Sequence, residues 1–146
     1  MNSVVEKINH RKHRRTPKEE FKSMTEIYEK KLCDKIIGYA IEIHKELGYG
    51  FLEKVYENAL MILLNENGIT AEQQKNINVI FRNEIIGEYF ADILVDNKII
   101  LELKTVKQIT EIHQAQLLHY LKATKIKIGY IINFANEKLE FKRMVF

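Results

Sequence analysis

Apolar residues recur at three- and four-residue spacing over two stretches in the first half of the chain. In the first, from about Met24 to Leu47, they are Tyr28, Leu32, Ile36, Tyr39, Ala40, Ile43 and Leu47. In the second, from about Leu52 to Asn67, they are Val55, Tyr56, Ala59, Leu60, Leu63 and Leu64. This spacing predicts two amphipathic helices. A glycine-containing segment at 48–50 separates them, and Gly68 suits the end of the second.

After Ala71 the pattern changes to short apolar runs of strand-like composition. The runs predict strands at Asn76–Phe81, Ile85–Val95, Ile99–Val106, Lys127–Phe134 and Leu139–Phe146. Between the third and fourth runs, Thr110 followed by Glu111 favours the start of a third helix that reaches about Ala123. The order ααβββαββ predicts an α/β domain with a central mixed sheet flanked by helices.

Length and composition narrow the number of domains and the class of protein further. The 146 residues suit a single domain, and 46% of them are hydrophobic. No apolar run approaches the roughly 18–20 residues of a membrane span, so we expect no membrane association. The single Cys33 has no disulfide partner within the chain. A reducing, cytoplasmic location is therefore the expectation.

Positive charge is concentrated at the N-terminus. Residues 1–24 hold seven of the 23 Lys and Arg residues but three of the 20 Asp and Glu residues. We therefore divide the chain into a basic leader at 1–24, expected to be disordered, and a folded domain at 25–146. The leader either attracts nucleic-acid phosphates or is a solvated tail without a specific partner.

Two neighbouring strand-like runs place charged residues within an apolar pattern. Strand side chains alternate between faces, so the odd-numbered apolar residues of 89–95 and 99–103 should share one face. A two-residue loop would mix the faces. A three-residue loop at 96–98 keeps them together, because it pairs Val95 with Ile99.

Continued along the hairpin, this register pairs Ala91 with Leu103 and places Asp92 directly opposite Glu102. Lys104 lies two residues from Glu102 on the same face. Opposed carboxylates repel, so a cation or a raised carboxyl pKa must offset the repulsion. Lys104 offsets one charge, and a hard divalent ion, Mg²⁺ or Mn²⁺, suits the remaining oxygen ligands.

A plain surface ion pair is the alternative interpretation of this hairpin. The Glu-x-Lys pattern is common here, with further copies at Glu20–Lys22, Glu29–Lys31 and Glu140–Lys142. The copy at Glu102 is distinguished by its strand-like run and by the Asp in the preceding strand. Its charges also interrupt an otherwise apolar row, formed by Phe90, Leu94, Ile100 and Val106.

The spacing of Asp92 and the triplet at 102–104 resembles the metal-binding hairpin of the PD-(D/E)XK nuclease superfamily. Residues 50–56, GFLEKVY, are similar to the signature of the GxxExxY protein family, a small branch of that superfamily. Residues 116–120, QLLHY, resemble the Gln-x-x-x-Tyr helix motif of RecB-like nucleases, although His119 replaces an expected small amide. The late segments 129–134 and 142–145 are similar to the closing strands of the GxxExxY family. The resemblance spans roughly residues 25–146 and implies a restriction-endonuclease-like core.

The resemblance implies a metal site with four contributors. Glu53 would reach the ion from its helix, and Asp92 and Glu102 would bind it from the strands. The backbone carbonyl of Leu103 would be a further ligand. For Glu53 the alternative is a first-turn glutamate that is favoured only by the helix dipole.

The resemblance also implies roles for residues that bind no metal. Lys104 would orient or deprotonate the attacking water and stabilise negative charge on the phosphate. Gln116 and Tyr120, one turn apart on a helix, would position the Lys104 region or a DNA phosphate. The alternative for Gln116 and Tyr120 is hydrogen bonding where helix and sheet meet.

The resulting functional hypothesis is metal-dependent hydrolysis of phosphodiester bonds in nucleic acid, with DNA as the expected substrate. A nuclease-fold module that binds nucleic acid or a protein without cutting is the alternative. Hydrolysis of another phosphate ester is a third option. Many small nucleases of this type act as dimers, so a homodimer is also an expectation.

Overall fold

The computed structural model describes residues 14–146. The elements are α1 (Pro17–Leu47), α2 (Glu53–Glu66), β1 (Ala71–Phe81), β2 (Glu84–Val95), β3 (Ile99–Lys104), α3 (Glu111–Thr124), β4 (Ile128–Asn133) and β5 (Glu140–Val145). The five strands form one sheet in the order β1-β2-β3-β4-β5. Only the β3–β4 pair is parallel, because α3 connects these two strands across the sheet. The predicted order ααβββαββ and the mixed α/β sheet are confirmed.

The first helix begins earlier than the apolar pattern predicts. Thr16 and Glu19 form a capping box, in which Glu19 N–H donates to Thr16 Oγ1 and Thr16 N–H donates to Glu19 Oε2. Pro17 occupies the first turn, where its missing N–H has no cost. The expected disordered leader at 1–24 is therefore wrong for residues 17–24, which are helical. The part of that expectation at 1–13 lies outside the described residues.

The β1–β2 and β2–β3 hairpins turn through residues with positive φ. Asp96 and Asn97 have φ of 50° and 53°, and Val95 pairs with Ile99. The predicted three-residue loop is thus confirmed. Asp and Asn tolerate this backbone conformation better than most residues.

The sheet is covered on both faces. One core lies between the sheet and the helices α1 and α2, and it contains Ile36, Tyr56, Leu60, Leu101 and Tyr130 among others. The other lies beneath α3 and contains Ile77, Ala91, Leu94, Ile100, Leu117, Leu121 and Ile131. Gly129 lets α3 approach closely, since a Cβ at this position would lie 2.8 Å from Leu117 Cδ1.

Strand β2 changes face near its middle. Ile93 and Val95 pack towards α1 and α2, but Ala91 packs beneath α3. The expectation that Ala91 shares a face with Leu103 is therefore wrong. Regular strand alternation is broken at this point: the ladder between the pairs Gln73–Ile93 and Lys75–Ala91 is interrupted, and Gln74, opposite Asp92, takes φ of 52°.

The ends of two strands, the start of β1 and the end of β3, also differ from the bounds predicted from the sequence. β1 starts at Ala71 rather than at Asn76, since its exposed polar start pairs with the end of β2. β3 ends at Lys104 rather than at Val106. Beyond it, the buried side chain of Asn133 satisfies the Val106 backbone, with contacts of 3.0 Å to its N–H and 2.7 Å to its C=O.

Candidate active site

The candidate site lies where β2 and β3 separate. Their ladder ends at the pair Ile93–Leu101, one residue before the two acids. Beyond it, the Leu103 N–H donates to Asp92 Oδ2 at 2.7 Å. The Asp92 carboxylate thus turns into the space between the strands, where it takes the place of a backbone acceptor. The predicted register brings Asp92 and Glu102 together. The Asp92 carboxylate, however, points at the backbone of β3 and does not stand beside the Glu102 side chain on one face of the sheet.

Glu102 is a buried carboxyl group with an unsatisfied oxygen. It is only 9% exposed, and its Oε1 meets no hydrogen-bond donor within residues 14–146. Burial, followed by the charge of Asp92, raises its pKa to about 8, against a smaller opposing effect of Lys104. In the metal-free protein Glu102 is therefore mostly protonated at neutral pH.

The pKa of Asp92 is shifted in the same direction as that of Glu102. Burial raises its pKa above the ordinary value, and the hydrogen bond from Leu103 N–H counteracts part of the effect. The charge of Glu57 raises the pKa further, whereas Lys104 lowers it. Two acids therefore share a poorly hydrated space, and Lys104 lies near enough for its charge to lower the pKa values of both.

Glu53 and Lys104 flank this space. Glu53 is the first residue of α2, and its Oε1 accepts a hydrogen bond from Thr105 N–H at 3.3 Å. It therefore lies against the backbone just past the end of β3. Lys104 is half-buried at the last position of that strand. Leu103 is buried between Glu102 and Lys104, with its N–H already engaged by Asp92.

Glu57 is a further acid of the candidate site that the sequence-based prediction missed. It is 3% exposed, and its charge raises the pKa values of both Asp92 and Glu102. Its Oε1 accepts from Gln74 Nε2 at 2.7 Å, and its Oε2 lies 2.9 Å from Lys54 Nζ. A signal was present, since position 57 is one turn after Glu53 and continues the buried stripe of α2. Nothing in the sequence pointed to Gln74, which reaches the site through its positive φ.

The two predicted residues of α3 lie on the other side of the acids. Tyr120 is partly buried, and its pKa is raised first by burial and then by the charge of Glu102. Its ring lies 5.3 Å from that of Tyr89. Gln116 is exposed and lines the same groove as Tyr120. The structure places Tyr120 beside the acids and Gln116 one helical turn away.

The chemistry of these donors fits a hard divalent ion. Asp92 and Glu102 offer carboxylate oxygens, and the unpartnered Glu102 Oε1 is a buried acceptor that a cation would satisfy. Within residues 14–146, no three His, Cys, Asp or Glu side chains converge closely enough to hold one ion together. Mg²⁺ commonly keeps several waters and binds through one or two carboxylates, so this pair is a sufficient protein contribution.

Comparisons with known proteins bear on this arrangement. None of the helices within residues 14–146 combines the length and apolar character needed to cross a bilayer. Among curated proteins, none has a significant sequence match to this chain. The crystal structure of SSO0001 is similar at a TM-score of 0.48 and 20% identity, over 63% of this chain and 48% of that one. The chain thus spans about half the length of that solved protein.

A family model gives the stronger result. The model of the PD-(D/E)XK nuclease superfamily matches residues 30–144, which include α2, the β2–β3 hairpin and α3. Members of this superfamily usually hydrolyse phosphodiester bonds and generally use divalent metal ions. The match and the five-stranded mixed sheet agree with the expected restriction-endonuclease-like fold. This chain therefore belongs to the PD-(D/E)XK nuclease superfamily.

Proposed function

We propose that this protein hydrolyses phosphodiester bonds of DNA with Mg²⁺ or Mn²⁺ held by Asp92 and Glu102. The observation that carries the proposal is the environment of Glu102: a buried carboxyl group beside a second acid, with one oxygen that has no partner among residues 14–146. Such a group lowers stability unless a ligand uses it. Perturbed acids of this kind are concentrated at functional sites.

A divalent ion bound there would polarise the scissile phosphate and lower the pKa of a water molecule. Glu102 must release its proton to bind the ion, so loading is coupled to pH. Lys104 lies near enough for its charge to lower the pKa values of both acids, so its ammonium group would orient the attacking water and stabilise charge on the phosphoryl oxygens. The low hydration of the space strengthens these interactions.

The remaining predicted residues have supporting roles in this proposal. The Leu103 carbonyl would supply a further ligand, and the 2.7 Å hydrogen bond from Leu103 N–H to Asp92 holds this residue next to the acid. Glu53 contributes from the start of α2, through water or after it leaves the Thr105 N–H. Gln116 and Tyr120 contact the DNA next to the cleaved phosphate.

Plasmid nicking tests the proposal. Wild-type protein should nick supercoiled DNA with Mg²⁺ or Mn²⁺ and not with EDTA. The variants Glu102→Gln and Lys104→Ala should each lose activity by at least about a hundredfold, because this is a typical contribution of one electrostatic or acid–base group. Glu20→Gln is the matched control, because Glu20 belongs to an exposed Glu-x-Lys pair on α1. Equal nicking by wild type and Glu102→Gln would remove the assignment.

A module that binds nucleic acid without cutting it is the second candidate. Two hydrogen bonds favour it. Asp92 Oδ2 and Glu53 Oε1 both accept from backbone N–H groups, and these bonds occupy oxygen lone pairs that a metal ion would need. Isothermal titration with Mn²⁺ separates the candidates. The nuclease should bind the ion in a Glu102-dependent way, whereas the binding module need not.

Three narrower expectations belong to the same proposal. The segment 50–56 supports membership of the GxxExxY branch, the unpaired Cys33 supports a cytoplasmic location, and dimeric nucleases of this type suggest a homodimer. Size-exclusion chromatography with multi-angle light scattering tests the homodimer directly. A monomeric mass at all loading concentrations would contradict it.

A further inference from the structure

A groove of about 480 Å³ lies between α3 and the hairpin of β1 and β2. Its volume falls within the range of small-ligand pockets, about 300–1,000 Å³. The residues that give it chemical character are Asn78, Tyr89, Gln116, His119, Tyr120 and Lys122. The groove is therefore aromatic on its walls and polar around its rim.

The groove adjoins the acidic site. Tyr120 links the two: it lines the groove and also packs against the core beneath α3, which contains Ala91, next to Asp92, and Ile100, two residues before Glu102. The charges of Glu102 and Asp92 accordingly raise its pKa. A phosphate bound at the acids would thus lie beside the aromatic wall. The nucleotide next to that phosphate along the strand would therefore lie at the groove.

The aromatic wall suits a planar ligand. The rings of Tyr89 and Tyr120 lie 5.3 Å apart at 47° to each other, and Tyr89 remains 47% exposed. An exposed aromatic face of this kind stacks readily with a nucleobase. Asn78 and Gln116 offer both hydrogen-bond donors and acceptors, which match the edge of a base.

The rim carries a positive charge as well. Lys122, an exposed residue of α3, lines the groove, and its ammonium lies 5.9 Å from the centroid of the Phe146 ring. This exposed charge is suited to a backbone phosphate. Bases in a continuous duplex are paired and stacked, so they offer no free face to Tyr89. A base reaches this groove only from a single strand or after it leaves the duplex.

We propose that this groove binds an unpaired nucleobase next to the scissile phosphate, so that the preferred substrate contains a single-stranded segment. The proposal rests on the proposed function for the position of the phosphate. It adds the class of substrate. Duplex DNA without a break or a flap should be a poorer ligand and a poorer substrate.

Fluorescence of 2-aminopurine in a short single-stranded oligonucleotide tests the stacking, with EDTA present so that no cleavage occurs. Wild-type protein should quench the base, and Tyr89→Phe should preserve the effect because it keeps the aromatic face. Tyr89→Leu, which keeps apolar bulk, should weaken single-strand binding about tenfold, equal to about 1.4 kcal/mol. That loss lies within the range for one stacked base. Tyr49→Leu, at an exposed position outside the groove, is the control.

The outcomes separate this inference from the nuclease assignment. If Tyr89→Leu binds and quenches like wild type, the groove does not hold a base, even if plasmid nicking depends on Glu102. If wild type quenches through Tyr89 but cleaves nothing, the base site stands and the nuclease assignment fails. Equal binding of a flapped and a fully paired duplex by wild-type protein would overturn the substrate preference. Circular dichroism of Tyr89→Leu and Tyr89→Phe establishes that both variants are folded.

Discussion

Replacing Glu102 with Gln should stabilise the metal-free protein at neutral pH while it removes the proposed activity. Glu102 is buried with an unpartnered oxygen, and its pKa rises from an ordinary 4.5 to about 8. Gln has nearly the same shape and stays neutral at every pH. The variant therefore avoids the cost of keeping an acid in a poorly hydrated space beside Asp92.

The size and sign of this effect follow from proton linkage. Below pH 4.5 Glu102 is protonated in both states and costs nothing. Between pH 4.5 and about 8 the unfolded chain releases the proton and the folded protein retains it, so the free energy of unfolding falls as pH rises. With about 1.36 kcal/mol per pH unit, the cost is about 3 kcal/mol at pH 7 and about 5 kcal/mol above pH 8.

Urea unfolding followed by circular dichroism measures this difference from pH 4 to pH 9 in EDTA. The chain has no Trp, so far-ultraviolet dichroism is the suitable signal. Glu102→Gln should match wild type near pH 4 and exceed it by about 3 kcal/mol at pH 7, whereas the exposed control Glu20→Gln should follow wild type throughout. Parallel curves for Glu102→Gln and wild type would refute the reasoning, because they would show that Glu102 is ionised at no cost.

Three further predictions, one of them with a matched control substitution, probe the site and its support. Gly129→Ala should cost about 1–3 kcal/mol in urea unfolding because its Cβ meets the buried Leu117. Gly38→Ala, whose Cβ would meet no described residue within 4 Å beyond the nearby backbone of its own helix, should stabilise α1 by about 0.5–1 kcal/mol. The same sign for both would contradict this. Asn133→Ala should lower the free energy of unfolding by about 1–3 kcal/mol, because it leaves the Val106 N–H and C=O after β3 without their side-chain partner. Equal stability to wild type would show that water replaces the side chain. Glu57→Gln should shift the pH at half-maximal nicking downwards, because its charge raises the pKa values of both site acids, and an unchanged pH profile would rule out this positioning role.

The hairpin at the site shows how far local pattern reaches. Alternation of apolar residues required a three-residue loop, and that loop fixes the pairing of Val95 with Ile99. The pairing in turn brings Asp92 and Glu102 together at the end of the ladder. Helices and strands were predictable for the same reason, since burial on one face imposes a period on the sequence.

The exact arrangement of the acids depended on contacts between distant segments. Gln74, on β1, takes a positive φ opposite the point where β2 changes face, and Ala91 lies beneath α3. The Asp92 carboxylate then turns towards Leu103 N–H. No period in β2 alone encodes this change, because it arises from the pairing of two strands.

The sequence by itself determined the order of elements, the register of the central hairpin and the residue types of the site. Only the tertiary structure decided that Glu57 joins the acids, that Glu102 loses its hydration, and that a groove with Tyr89 and Tyr120 adjoins them. The physical reason is that periodicity reports whether a side chain is buried. Charge coupling and desolvation instead depend on which side chains α2, α3 and the sheet bring within a few ångströms of one another.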